Sequence, residues 1–410
     1  MPINSGDTAW LLVSAALVML MTPGLALFYG GMVRRKNVLS TMMMSFVMLG
    51  LVGLLWVLYG YSLSFGPDHG GIIGGLDFIG LNNVGQTPSS VYATTVPHLA
   101  FMIYQAMFAI ITVALFTGAV VDRIKFSSLL VFSTLWLTFI YAPVAHWVWG
   151  GGWLAQLGAL DFAGGTVVHV NAGVSALALA MLLGPRKGFL EKEPMEAHNI
   201  PLVMLGAGLL WFGWFGFNAG SALTAGGLAS SAFVATNTAA AAAAFTWMLL
   251  SWMYRRPTAL GTVTGAVIGL VAITPAAGFV PPMMGIPIGI GAALVGYYAM
   301  LIRAKSRVDD SLDVTACHGM GGVWGALATG IFASVAVNSA GANGMIFGNG
   351  ALVLKQMAAI ASVAAFSFVG TLILGKIVDV TMGLRVTRTE ENLGLDISQH
   401  GERAYGGLGR

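Results

Sequence analysis

Aspartate and histidine recur eight residues apart at two places in the chain, Asp161 with His169 and Asp310 with His318. Imidazole is the side chain that exchanges a proton near neutrality, so the pairs suit a path that handles protons or a protonatable substrate. Each histidine lies inside an apolar stretch free of charged residues, where an ionisable group is expensive and usually faces a pathway. A buried imidazole that only ties two helices together is the plainer alternative for a single histidine; a symmetric pair speaks against it. Asp161 and Asp310 each fall at an expected helix start. There a carboxylate can cap free amides and complement the helix dipole, or it can meet the substrate directly, and the residues leave both duties open.

Only membrane-spanning elements could hold such a pair in hydrocarbon. Of 410 residues, 57% are apolar and 9% charged, and the mean hydropathy is +0.82, which excludes a water-soluble globule. Runs of about 20 apolar residues, enough to cross a hydrocarbon core of roughly 30 Å, are marked off by Gly, Pro and charge. They lie at 9–31, 40–64, 98–121, 127–148, 162–184, 199–220, 228–254, 258–279, 284–303, 314–335 and 351–384. The expected fold is therefore all-α and integral to the membrane, with eleven transmembrane helices. The last run, 34 residues, would reach about 51 Å, so tilting or extension past the membrane is expected.

The basic residues orient these helices. Arg34, Arg35 and Lys36 follow the first; Arg123 and Lys125 the third; Arg186, Lys187 and Lys192 the fifth. Arg255 and Arg256 follow the seventh, Arg303, Lys305 and Arg307 the ninth, and Arg385, Arg388, Arg403 and Arg410 the eleventh. Of 19 Lys and Arg, only Lys355 and Lys376 fall elsewhere, inside the last run. The positive-inside rule then puts the N-terminus outside and the C-terminus in the cytoplasm.

In that orientation the fifth helix runs inward from Asp161 and the tenth outward from Asp310. Eight residues at about 1.5 Å each carry either histidine about 12 Å into the core, so the imidazoles meet near the midplane. Helices one to five (1–184) and six to ten (199–335) read as an inverted repeat, with 351–384 added; such repeats place their site where the halves meet. The expected division is a transmembrane domain, 1–384, and a polar cytoplasmic tail, 385–410.

Other features narrow the function. No basic residue precedes the first apolar run, so that run reads as a membrane helix rather than a signal peptide. The lone Cys317 excludes an internal disulfide and sits where inert packing is expected. The pI near 9.0 reflects inner-face charge rather than nucleic-acid binding. The long external loop, 66–96, is rich in Gly, Asn and Ser and carries no catalytic pattern. No nucleophile–base pair is evident, since Cys317 and His318, adjacent on one helix, point to different faces. An enzyme, a cofactor and a metal are not expected.

Six motifs together carry a resemblance: TPGLALFYGGMVRRKN at 22–37, AHWVWGGG at 145–152, DFAGGTVVHVNAG at 161–173, GWFGFNAGS at 213–221, RVDDSLDVTACHGMGG at 307–322 and GLDISQHGERAY at 394–405. Over nearly its whole length the chain resembles ammonium transporters of the Amt/Mep/Rh superfamily, on the bacterial Amt side. The resemblance implies a homotrimer in the inner membrane, with one apolar pore per subunit. It implies an outer recruitment site of Trp149, Phe108 and Ser221 with Asp161 just behind, a gate of stacked Phe108 and Phe217, and a pore lined by His169 and His318. Tyr104 stands where related sequences commonly carry Phe; its hydroxyl either alters cation recruitment or points to water. Asp310 is left as a helix cap. In the tail, Gly394, Asp396, His400, Gly401, Glu402 and Tyr405 match a region that couples subunits, and a PII-family signalling protein is the expected cytoplasmic partner.

Elementary energetics agree with such a pore. A cation over an aromatic face gains about 0.5–2 kcal/mol, so ammonium or methylammonium can be held by Trp149 and Phe108 while the Ser221 oxygen accepts one N–H. Moving the intact ion through an apolar bore costs many kcal/mol in desolvation, so permeation as neutral ammonia is expected, with the histidines relaying the proton and net ammonium transfer favoured. The rival from a different class is an ammonium sensor with little flux that signals through the tail.

Overall fold

The computed structural model describes residues 2–406; Arg410, counted above among the basic residues, lies outside them. Apolar runs long enough to satisfy their own backbone hydrogen bonds become helices, because nothing in hydrocarbon can pair an open amide. In chain order they are α1 (Ser5–Met32), α2 (Arg35–Phe65), α3 (His98–Thr117), α4 (Phe126–Leu157), α5 (Gly165–Leu183), α6 (Ile200–Ala222), α7 (Gly227–Tyr254), α8 (Ala259–Ile273) and α9 (Pro282–Lys305). Next come α10, assembled from Thr315–Met320 and Gly321–Phe332, and α11 (Ala351–Met382). Among the described residues nine of these are long and apolar enough to cross a membrane, and α8 and α10 are shorter.

Helix ends depart from the apolar runs where local chemistry intervenes. α8 stops at Ile273 rather than 279, because Pro275 has no N–H to continue the ladder and the chain turns through Ala276 N–H to Ile273 O. α3 stops at Thr117, where Gly118, Ala119 and Val120 donate to carbonyls only three residues back. The loop 66–97 folds into two small hairpins, Asp68–His69 with Ile73–Gly74 and Pro88–Ser89 with Ala93–Pro97.

α5 and α10 run antiparallel. The end of α5 meets the start of α10 because the Arg186 N–H donates to Asp309 Oδ2 at 2.7 Å and its guanidinium pairs with Asp309 at 2.8 Å. Their crossing is backbone on backbone: a Cβ on Gly173 would stand 2.1 Å from the Gly319 nitrogen. Small residues at a helix crossing permit this approach in a membrane.

Basic loops gather on one face and are tied together there. Arg123, fully buried, donates to Gly184 O (2.8 Å), Ser311 Oγ (2.6 Å) and Asp309 O (2.5 Å). Asp122 pairs with Arg34 and Arg186 at 3.1 and 3.5 Å and also accepts from Asn37. Burial alone would raise the Asp309 carboxyl, but hydrogen bonds and charge from Arg186, with Arg123, outweigh it and hold the group below the usual carboxylate range.

The tail beyond α11 is packed against this face. α12 (Arg388–Leu393) starts at a capping box, with Thr387 and Glu390 bonded reciprocally, and α13 (Leu395–His400) follows.

Candidate functional site: an enclosed aromatic and histidine conduit

α5 opens at Asp161, and its first turn explains the carboxylate. Asp161 Oδ1 accepts from the Gly164 and Gly165 amides at 2.7 and 2.6 Å; Oδ2 accepts from the Thr166 amide (2.7 Å), the Thr166 hydroxyl (2.5 Å) and the Val167 amide (3.2 Å). Both oxygens are thus spent on the free donors of a helix N-terminus. Gly164 makes the loop possible with φ +116, a region costly for any residue with a Cβ. Asp310 repeats the arrangement more simply, accepting from Val314 N–H (3.1 Å) and Thr315 N–H (2.7 Å).

Both histidine-bearing helices begin with a six-residue π segment, Gly165–Val170 and Thr315–Met320. Such wide turns mark functional positions more often than chance, and here each carries one of the paired imidazoles. The close α5–α10 crossing brings His169 Nδ1 to 3.2 Å from His318 Nδ1, with the rings 21° from parallel. Both are buried, at 1% and 4% exposure. One hydrogen between two Nδ1 atoms makes one ring its donor and the other its acceptor. In the neutral pair one Nε2 is then a lone pair and the other an N–H, so a guest meets one acceptor and one donor. His169 Nε2 has no hydrogen-bond partner among the described residues.

Aromatic rings close the conduit on the side away from the basic loops. Phe108 and Phe217 stack with centroids 4.2 Å apart. Trp149 stands edge-on to Phe108 at 5.8 Å, and its indole N–H donates to the Asp161 carbonyl at 2.9 Å. Tyr104 packs on Phe108 at 4.9 Å. Its hydroxyl is not turned to water: Oη lies 2.9 Å from the Gly216 and Phe217 carbonyls and 3.1 Å from Ser221 Oγ. Ser221 donates to Phe217 O at 2.9 Å.

Beneath the stacked phenylalanines, a cavity of about 10 Å³ is lined by Phe217, His169 and His318 with Leu25, Ile111 and Val267, about the room one water needs. On the basic side the bore widens into a vestibule of about 1020 Å³ that reaches Phe28, Arg303, Asp313, Cys317 and His318. The arrangement offers aromatic faces first, then a constriction, then two imidazoles in apolar walls, then a polar vestibule.

Sequence reasoning missed Trp214, which stacks on His169 at 5.5 Å while its indole N–H is held by Thr274 Oγ1 at 2.9 Å. The available signal was its position three residues before Phe217, on the same helical face. The apolar lining residues carried no signal, being indistinguishable in type from lipid-facing ones.

The tail residues assemble on the basic face, away from the histidines. Asp396 Oδ1 accepts from the Ser40 N–H at 2.9 Å, near the start of α2. Gly394 lies against Lys36, and Lys36 Nζ donates to the Glu391 and Asn392 carbonyls. His400 stands on Phe126 at 4.8 Å, Gly401 ends α13 with φ +69, and the Glu402 N–H donates to Asp396 O. Tyr405 bonds His198 Nε2 at 3.0 Å beneath Arg35.

Apolar helices around an enclosed channel-like bore define a multi-pass membrane protein. Residues 9–405 match the model of the Ammonium Transporter Family. The chain is similar to ammonium transporter Amt1 of Archaeoglobus fulgidus, 54% identical over 98% of this chain and 100% of the relative. The crystal structure of Candida albicans Mep2 superposes with a TM-score of 0.90 at 37% identity, covering 98% of this chain and 91% of that one. A solved sensor Amt protein superposes at 0.87 with 29% identity, over 96% and 98%. The chain belongs to the ammonium transporter family.

Proposed function

We propose that this ammonium transporter recruits ammonium at Trp149, Phe108 and Ser221, passes its proton to the lone-pair nitrogen of the His169–His318 pair, which relays it inward, and conducts the resulting ammonia past the Phe108–Phe217 gate and that pair, with net proton transfer. The observation that carries this reading is the pair of buried imidazoles at 3.2 Å, enclosed between the phenylalanine stack and the vestibule. Ammonia both donates and accepts, so it can replace at the pair the hydrogen bonds it gives up in water. Potassium carries no N–H, and the apolar constriction offers it little to replace its hydration shell.

Asp161 serves in this scheme as a fixed negative charge behind the recruitment site, favouring a cation over Trp149, while its oxygens hold the start of α5. Proton acceptance falls to other groups, since five donors occupy the carboxylate. All eleven helices cross the membrane, α1–α5 and α6–α10 forming inverted halves with α11 added; the two π starts and their two carboxylate caps support that symmetry. The basic face is cytoplasmic, the N-terminus lies outside, and the subunit assembles as a homotrimer in the inner membrane. Residues 385–410 form a regulatory segment that a PII-family protein reads, supported by the docking of α12 and α13 on the inner loops.

Proteoliposomes with an imposed pH gradient, together with currents on a solid-supported membrane after ammonium pulses, test the mechanism. Saturable current is expected from the wild type and its loss from His169→Ala. A wild type that binds ammonium without flux would favour the sensor reading, which the likeness to the sensor Amt protein keeps in view.

A further inference from the structure

Tyr104 is completely buried, and its phenol is aimed at the last turn of α6. Three oxygens lie within 3.1 Å of Oη: the Gly216 carbonyl, the Phe217 carbonyl and Ser221 Oγ. Gly220 clears the space, since a Cβ there would come within 2.8 Å of the hydroxyl. A phenol has one proton and carbonyls only accept, so the Tyr104 proton goes to one of these two α6 carbonyls, sharing it with the Gly220 amide on Gly216 O or the Ser221 hydroxyl on Phe217 O. Oη then presents lone pairs toward Ser221. The Ser221 hydroxyl consequently meets acceptors on its inward side, Phe217 O at 2.9 Å and Oη at 3.1 Å.

We infer that Tyr104 is a positioning residue for recruitment: it commits the Ser221 proton inward, so that Ser221 Oγ offers only lone pairs to the entrance. A cation bearing N–H groups is then always met by an acceptor, with no hydroxyl rotor to reorient on binding. This inference rests on the recruitment role proposed above for Ser221. It gives Tyr104 a part in affinity and none in the gate, although the phenol also touches the Phe217 carbonyl.

Tyr104→Phe deletes the hydroxyl and keeps the ring packed on Phe108. In proteoliposomes, the half-saturation concentration for ammonium should rise roughly three- to tenfold, the scale of one lost hydrogen bond, with maximal flux changed less than about twofold by the same reasoning. In a Ser221→Ala background, the same substitution should shift half-saturation by less than about twofold, because its target has gone. An unchanged half-saturation in Tyr104→Phe overturns the inference. So does an equal shift with and without the Ser221 hydroxyl, or a loss confined to maximal flux, which would assign the phenol to the gate. Failure of Ser221→Ala itself to alter half-saturation would instead remove the recruitment role on which the inference stands.

Discussion

Asp161→Asn separates a capping carboxylate from one that works on the substrate. The side chain keeps its shape, but one oxygen becomes an NH₂ that points at donors. If the remaining oxygen keeps the three donors of Oδ2, the Gly164 and Gly165 amides, now at 2.7 and 2.6 Å from Oδ1, lose their acceptor; the flipped amide would strand three. A buried donor left unpaired costs about 1–3 kcal/mol, so two of them cost on the order of 2–6 kcal/mol, before any loss of the charge's interaction with the helix dipole. The apparent melting temperature in detergent should therefore fall by several degrees. Hydrogen exchange at residues 164–167 should accelerate ahead of the rest of α5. Flux should fall because His169 and Trp149 are no longer held, the latter through its bond to the Asp161 carbonyl. A variant that melts and exchanges like the wild type yet carries no flux would refute the capping argument and assign the carboxylate to the substrate.

Two further predictions concern the hairpin loop 66–97 and the basic face. His146 places its ring nitrogens at 3.0 Å from Ser64 O and 2.8 Å from Asp68 Oδ1, and this bond is the first cause holding the Asp68 carboxyl below its usual range. A depressed carboxyl contributes stability above its unfolded pKa and loses it as pH falls through the folded value. Exchange of the Gly71 amide, which donates to Asp68 at 2.8 Å, should accordingly stay slow from neutrality to about pH 4, the unperturbed carboxylate range, and quicken only below it; quickening already at about pH 6 would contradict the assignment. On the basic face, Glu391 is 2% exposed and accepts from the Lys187 amide and the Arg385 guanidinium at 2.7 and 2.9 Å. Glu391→Ala should loosen tail docking by about 1–3 kcal/mol, given that Arg385 is partly solvated. Limited proteolysis should cut within 385–406 faster than in the wild type, and equal cutting would show that the tail is held elsewhere.

Apolar length, broken by Gly, Pro and charge, was enough to locate the helices. In hydrocarbon a span must be apolar and helical whatever its neighbours, so length reads directly from the chain. The eight-residue spacings were equally legible, because a helix converts sequence distance into depth. Which way the apolar residues of each helix faced was not legible. Lipid-facing and bore-facing walls are both built of Leu, Ile, Val and Phe, so composition marks no inner surface; Leu25, Ile111 and Val267 became lining residues only once the helices were packed. The facing of His169 and His318 required the crossing at Gly173 and Gly319 and the two π starts, contacts 146 residues apart in the chain. Trp214 over His169, the Tyr104 hydroxyl on the α6 carbonyls, and the docked tail follow from the same cause. The chain by itself decided which stretches are apolar and helical and how far along its helix each ionisable group lies; tertiary packing decided which of them share a conduit, since facing is a property of pairs of helices and no single helix encodes it.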